Sequence, residues 1–165
     1  MRAQGRGDKL VTILPGAVFG PILAADRVGT VEIIARMIQG KLRGAPRIGL
    51  EVVDVRDLAN IHIRAMNAPE AAGERFLATG DFIWMRQMAQ ILRDDLGAVG
   101  AKVSTRQLPD ILVRTVALFD SGMRAVTPSL GRKNQHTTAK AQWLLSWHAR
   151  PAQETVLAAA RGLQH

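Results

Sequence analysis

The groups in this 165-residue chain that could carry acid/base chemistry are four histidines and the carboxylates around them, because cysteine and tyrosine are both absent. Thiolate nucleophiles, disulfide frameworks and cysteine-ligated metals are thereby excluded, as is a phenolic acid. His62, His136, His148 and His165 do not reproduce a His-Glu-x-x-His spacing, so no metal site is expected. His62 falls among Ile61, Ile63 and Met66 on an expected helix, which favours a hydrogen-bonded structural role. His136 lies in a polar loop and is the better candidate for touching a ligand. In Val53-Asp54-Val55-Arg56-Asp57 a carboxylate pair could do acid/base work, but the structural reading is stronger. Asp57 is expected to cap the following helix while Arg56 holds a neighbouring carboxylate in a bidentate pair. Ser121 and Ser129 lack a Gly-x-Ser-x-Gly setting. No Gly-x-Gly-x-x-Gly and no Gly-x-x-x-x-Gly-Lys-Ser/Thr opens a helix, so no phosphate cradle is assigned. No catalytic residue is expected among these 165.

The elements that must position such groups follow from the pattern of apolar residues. Leu10-Val11-Thr12-Ile13-Leu14, stopped by Pro15-Gly16, reads as a strand with apolar side chains on both faces, hence one inside a helix-covered parallel sheet. Candidate neighbours are Leu50 to Val53, Arg75 to Thr79 and Lys102 to Arg106. That supply is thin for a doubly wound sheet, and part of the fold is expected to lie before Met1. Helices are expected from Val31 to Gln39 with Thr30 as N-cap, from Leu58 to Asn67, from Trp84 to Leu96, and from Asp110 to Phe119. In the last of these Ile111, Leu112, Thr115, Val116 and Phe119 are available to the core. A short helix capped by Thr137 or Thr138 runs to Leu145, and a final one opens at Pro151. The loops Ile22 to Gly29 and Ser121 to Arg132 would shape a substrate site.

With 47% hydrophobic residues the chain can bury a real core. Lysine and arginine exceed aspartate and glutamate by 22 to 14, a net +8, yet only Arg132-Lys133 are adjacent among the arginines and lysines of the loops and helices, and aromatic stacking platforms are few. Nucleic acid is therefore not expected as a partner. No apolar run reaches the ~20 residues of a membrane span, and residues 1–9 lack the apolar stretch of a signal peptide. A cytoplasmic protein is expected.

Three stretches, taken in order, resemble one family. They are Leu10 to Pro21, then Val53-Asp54-Val55-Arg56-Asp57-Leu58-Ala59, then Ala139 to Trp147 with Arg150-Pro151; Gly73-Glu74-Arg75-Phe76-Leu77 falls where that family's next strand begins. The chain is similar to the extended short-chain dehydrogenase/reductases, in the aldehyde or dihydroflavonol reductase-like branch of the NAD-dependent epimerase/dehydratases. The resemblance implies an α/β fold: the C-terminal part of a Rossmann-type protein, with a mainly helical substrate-binding lobe and the N-terminal Rossmann half lying upstream. Residues 1–165 would form a single incomplete domain, 10–80 holding the late Rossmann strands and helices interleaved with lobe segments and 81–165 the helical lobe. In that family the glycine-rich loop and a Tyr-x-x-x-Lys set belong to the earlier half.

The same resemblance implies NAD or NADP as cofactor, with Pro15, Gly16, Ala17 and Val18 against its nicotinamide end. Phe19, Arg27 and His136 are the expected substrate contacts, and the substrate class is a small-molecule carbonyl. Ser146 stands where the family carries glycine, which matters only if its backbone is left-handed. The activity implied is reduction of an aldehyde or ketone, with the chain alone expected to be inactive. Alternatives are a non-catalytic protein that docks on a separate Rossmann half, or a sugar-nucleotide epimerase/dehydratase-type parent.

Overall fold

One extended run, 12–19, becomes two strands because it changes partners midway. In the computed structural model, which describes residues 10–22, 29–134 and 136–164, β1 (Thr12–Pro15) pairs in parallel with β4 (Arg75–Ala78). Past Gly16 the chain leaves β4, and β2 (Ala17–Phe19) pairs in parallel with β3 (Gly49–Asp54). The Gly16 amide still donates to the Ala78 carbonyl at 3.2 Å. A β-carbon at position 16 would sit 2.2 Å from the Glu51 carbonyl oxygen, so the switch requires glycine for close approach to β3. β3 is completed on its far side by the antiparallel β5 (Phe82–Trp84). The result is a two-stranded and a three-stranded sheet diverging at Gly16.

β3 also divides the core in two. Because side chains alternate along a strand, Val52 points into a cluster with Phe19, Ile34, Met88, Leu92 and Val156, while Val53 points into another with Ile61, Phe76, Leu145 and Trp147. The first cluster is closed by α1 (Glu32–Ile38), α3 (Met85–Asp95) and α8 (Ala152–Gly162). The second is closed by α2 (Val55–Asn67) and α7 (Ala139–Leu145). Between α3 and α7 in the chain come the short α4 (Gly97–Gly100), α5 (Asp110–Val116) and α6 (Ser121–Val126), of which α4 and α5 add Val99 and Val113 to the first cluster. The architecture is α/β with a helical C-terminal lobe, as expected.

Several expectations are corrected in detail. β1 is parallel, but it is not buried on both faces. Among the described residues β4 is its only strand neighbour, and Leu10 and Leu14 remain 57% and 39% exposed. Lys102 to Arg106 is extended without forming a strand. Its neighbour, residues 41–46, carries Gly44 and Pro46, and Pro46 has no amide to extend a ladder, so pairing is confined to the single bridge Ala45 to Gln107. α2 begins three residues earlier than expected: Asp54, not Asp57, is its N-cap, accepting from the Arg56 amide at 2.9 Å. Thr30 does not cap α1, which is entered through the 3-10 turn Gly29–Val31. α5 turns the opposite way from expectation, burying the smaller Val113 and leaving Ile111, Leu112, Val116 and Phe119 outside. Ser121 to Arg132, read as a loop, contains α6 and the 3-10 turn Thr127–Ser129.

Candidate functional site

The fork at Gly16 creates a surface that neither sheet covers. Pro15 is exposed there and Gly16, Ala17 and Val18 are half-buried, so the expected cofactor set forms a partly accessible backbone strip, with Ala17 packed against the first core cluster and Val18 against the second. In open α/β sheets the carboxyl ends of strands are where ligands lie. The strip is held from behind by β3, whose Glu51 backbone packs on Gly16.

Glu51 then connects the strip to the C-terminal segment. His136 Nδ1 forms a short hydrogen bond and ion-pair contact with the Glu51 carboxylate, at a position where the histidine is still partly exposed. Lys133 of the same segment lies over the Phe82 ring, 5.5 Å from its centroid. Phe82 covers Gly49, where a β-carbon would sit 1.9 Å from the ring, and meets Trp84 edge to face at 4.8 Å. The cross-strand pairs Glu51 to Phe82 and Gly49 to Trp84 therefore build one face of the β3–β5 ribbon, onto which residues 133 and 136 are fastened. Of these, only His136 was legible in the sequence. Glu51, Phe82 and Lys133 carry no local motif, since their roles depend on strand register and on a contact 85 residues apart in the chain.

Behind the fork lies a charge network that fixes the N-terminus of α2. Asp54 is fully buried and receives a bidentate bond from Arg56, Nε to Oδ1 at 2.9 Å and Nη2 to Oδ2 at 2.8 Å. Burial pushes the Asp54 carboxyl up, but the Arg56 side-chain and backbone bonds and the charges of Arg56 and Arg150 outweigh it and hold it below the ordinary aspartate value. Arg150 in turn holds Asp57 bidentately, at 2.9 and 2.8 Å, and reaches Glu154 at 3.0 Å. Its guanidinium is pushed further above its ordinary range, chiefly by the bond to Asp57. Trp147 donates its indole N–H to the Asp57 carbonyl at 2.8 Å. These carboxylates are consumed by arginines, so the cluster is structural and the acid/base alternative is not supported.

The remaining candidates are placed as follows. Phe19 is buried in the first core cluster, where its ring is taken up by packing. Arg27 lies outside the described residues. His62 is exposed and hydrogen-bonded, its Nδ1 donating to the Leu58 carbonyl at 2.6 Å, and its ring lines an open cleft of about 580 Å³ between β1 and α2 with Val11, Ile13 and Met66. Among the described residues no group of three or more histidines and carboxylates could hold a metal ion. No described helix is long and apolar enough to cross a membrane.

Pro15 to Val18 are apolar and partly exposed, and no glycine-rich turn opens a described helix to receive phosphates.

No family model matches the chain. It is 30% identical over 92 residues to a cinnamoyl-CoA reductase of Oryza sativa subsp. japonica, covering 56% of this chain and 27% of that protein. It is 32% identical over 120 residues to a ketoreductase of Aspergillus niger, covering 68% and 36%. Among solved structures, a nucleoside-diphosphate-sugar epimerase from Pseudomonas aeruginosa superposes with a TM-score of 0.74 at 18% identity, over 94% of this chain and 48% of that one. Gre2 from Candida albicans, solved with NADPH, gives 0.68 at 22%, over 94% and 44%. The chain thus spans about a third of these curated relatives and under half of the structural neighbours. Over the part that it spans, the chain is similar in sequence to these reductases and shares its fold with the epimerase and with Gre2.

Proposed function

We propose that this chain supplies the substrate-binding lobe and one wall of the nicotinamide pocket of an NAD(P)-dependent reductase acting on an aldehyde or ketone. The observation that carries the reading is the partner switch at Gly16, which leaves Pro15 exposed and the backbone of Gly16 to Val18 partly accessible past the carboxyl end of β1. When bound, the cofactor supplies the hydride. Pro15 to Val18 would hold its nicotinamide end, with their backbone groups available to the carboxamide. His136, oriented by Glu51, is placed to donate a hydrogen bond to a polar group of the substrate. The proton for the carbonyl oxygen comes from elsewhere, since these 165 residues contain no tyrosine. The similarity to a cinnamoyl-CoA reductase and a ketoreductase, and to the NADPH-bound Gre2, supports this class of reaction.

The phosphate cradle and the proton donor then have to come from a Rossmann half outside this sequence. The one-sided pairing of β1 supports this, because its free edge and the exposed Leu10 and Leu14 are what an adjoining strand would cover. The test is to co-express the full chain with the N-terminal half of a related reductase, bearing a glycine-rich loop and Tyr-x-x-x-Lys, and to follow NADPH oxidation over a panel of aldehydes and ketones. Turnover well above that of either half is expected. Replacing His136 with Ala should raise KM more than it lowers kcat. A stable complex that binds NADPH yet reduces nothing on the panel would favour the second reading, a docking protein without catalysis.

A further inference from the structure

We infer that the pocket at the start of β3 is a binding site for a small aromatic monocarboxylate. It has a volume of about 370 Å³ and is lined by Pro46, Arg47, Trp84, Arg86, Gln87 and Gln107, a size in the range of small-molecule sites. The β3–β5 ribbon sets its aromatic wall. Trp84 stands opposite Gly49, so its direct cross-strand partner brings no side chain over the indole, and Phe82 meets it edge to face at 4.8 Å. Trp84 and Pro46 thus offer an apolar surface to a flat ring entering the pocket.

The polar lining is held in place before any ligand arrives. Arg47 donates through Nη2 to Asp110 at 2.6 Å, and its guanidinium lies against Gly131, where a β-carbon would sit 2.6 Å from Nη2 and 2.9 Å from Cζ. The Gly131 amide closes this contact by donating to the Arg47 carbonyl at 2.7 Å. A guanidinium fixed in this way loses little further freedom on gripping a carboxylate, and the Arg47 side chain is still half-exposed. Arg86, in the first turn of α3, is exposed and has no hydrogen bond or ion pair among the described residues. Gln87 accepts from the Trp84 amide through Oε1 at 3.0 Å, which leaves its own N–H groups as donors.

Charge selects the kind of anion. Arg47 and Arg86 bring two positive charges to the lining, and the Asp110 carboxylate bound to Arg47 offsets one of them. A monocarboxylate balances what is left, and its planar fork matches the guanidinium of Arg86; an uncharged ring leaves that guanidinium unanswered, and a phosphate dianion overshoots it. Arg106, Arg132 and Lys133 are close in the chain to lining residues or to Phe82 but lie outside the lining. All six lining residues belong to this chain and none to the Gly16 fork, so the inference does not depend on the reductase reading.

The test is isothermal titration calorimetry of the full chain with β-naphthoate, set against β-naphthamide as the uncharged ring and β-naphthyl phosphate as the dianion. Saturable binding of β-naphthoate with a Kd below ~1 mM is expected, and the amide should bind at least ~10-fold more weakly. Arg86→Gln and, separately, Arg47→Gln, both at positions open enough to leave the circular dichroism unchanged, should each weaken β-naphthoate by at least ~10-fold. Arg114→Gln, an exposed cation of α5 outside the lining, should leave binding as it was. The inference is overturned if β-naphthoate does not saturate by ~10 mM, if the amide binds as tightly, if binding survives both lining variants, or if Arg114→Gln weakens it equally. Tighter binding of β-naphthyl phosphate than of β-naphthoate would also overturn it and assign the pocket to a phosphorylated ligand.

Discussion

At the scale of single residues, Ser146 shows how an unremarkable letter in the sequence becomes a structural statement. It is the only non-glycine residue with positive φ among the described residues, at φ 47° and ψ 36°, and it ends α7 in the left-handed conformation. Resemblance alone marked the position as one where glycine is usual, and the backbone now gives that preference a physical reason. Ser146→Gly should therefore stabilise the chain by about 0.5 to 1 kcal/mol, the left-handed penalty of ~1 to 2 kcal/mol less the extra entropy lost by glycine. Thermal unfolding checks this, with a rise of a few degrees expected. Arg64, which donates to the carbonyls of Leu145 and Ser146, can keep the turn in place in the variant.

Asp54 makes a pH-dependent prediction. Its carboxyl is held below the ordinary value in the folded chain, so the stabilisation it supplies is complete above the unfolded aspartate value and is lost as pH falls through the lowered one. Urea midpoints measured from pH 6 downward should drop in the acid range, and Asp54→Asn should show a shallower drop from a lower starting stability. The cost of Asp54→Ala at neutral pH should be about 2 to 3 kcal/mol, combining the lost cap with a buried pair broken on one side. Part of this was legible in the sequence, where Arg56 was read as holding a carboxylate. Which aspartate caps the helix was not, because Asp54 and Asp57 are both suitable N-caps and only the strand register of β3 decides between them.

At the scale of elements, the fork and the one-sided strand matter most. Gly16→Ala places a methyl group 2.2 Å from the Glu51 carbonyl oxygen, so β2 and β3 must separate. A loss of about 1 to 3 kcal/mol is expected from such overpacking, together with weaker protection of the β2 and β3 amides in hydrogen exchange. β1 should exchange faster than β3 in the unaltered chain, since among the described residues it has one strand neighbour where β3 has two. Slow exchange in β1 equal to that of β3 would show that its free edge is covered after all. The long periodic segments α2, α3 and α8 could be read from the sequence because each carries a clear apolar stripe. β2 and β5 could not, being three residues each and fixed by pairing rather than by pattern. α5 was misread for a related reason: periodicity identifies an apolar stripe but does not say which side of the helix the rest of the protein occupies.

At the scale of the whole molecule, the described residues form two packed cores and hold His136 against Glu51, no glycine-rich turn opens a described helix, and the sequence contains no tyrosine. The account therefore rests on division of the site between this sequence and another. NADPH fluorescence, titrated against the purified full chain with and without a Rossmann half bearing a glycine-rich loop, tests that division most directly. Saturable enhancement is predicted only when the two are present together. Tight, saturable NADPH binding by this chain on its own would contradict it.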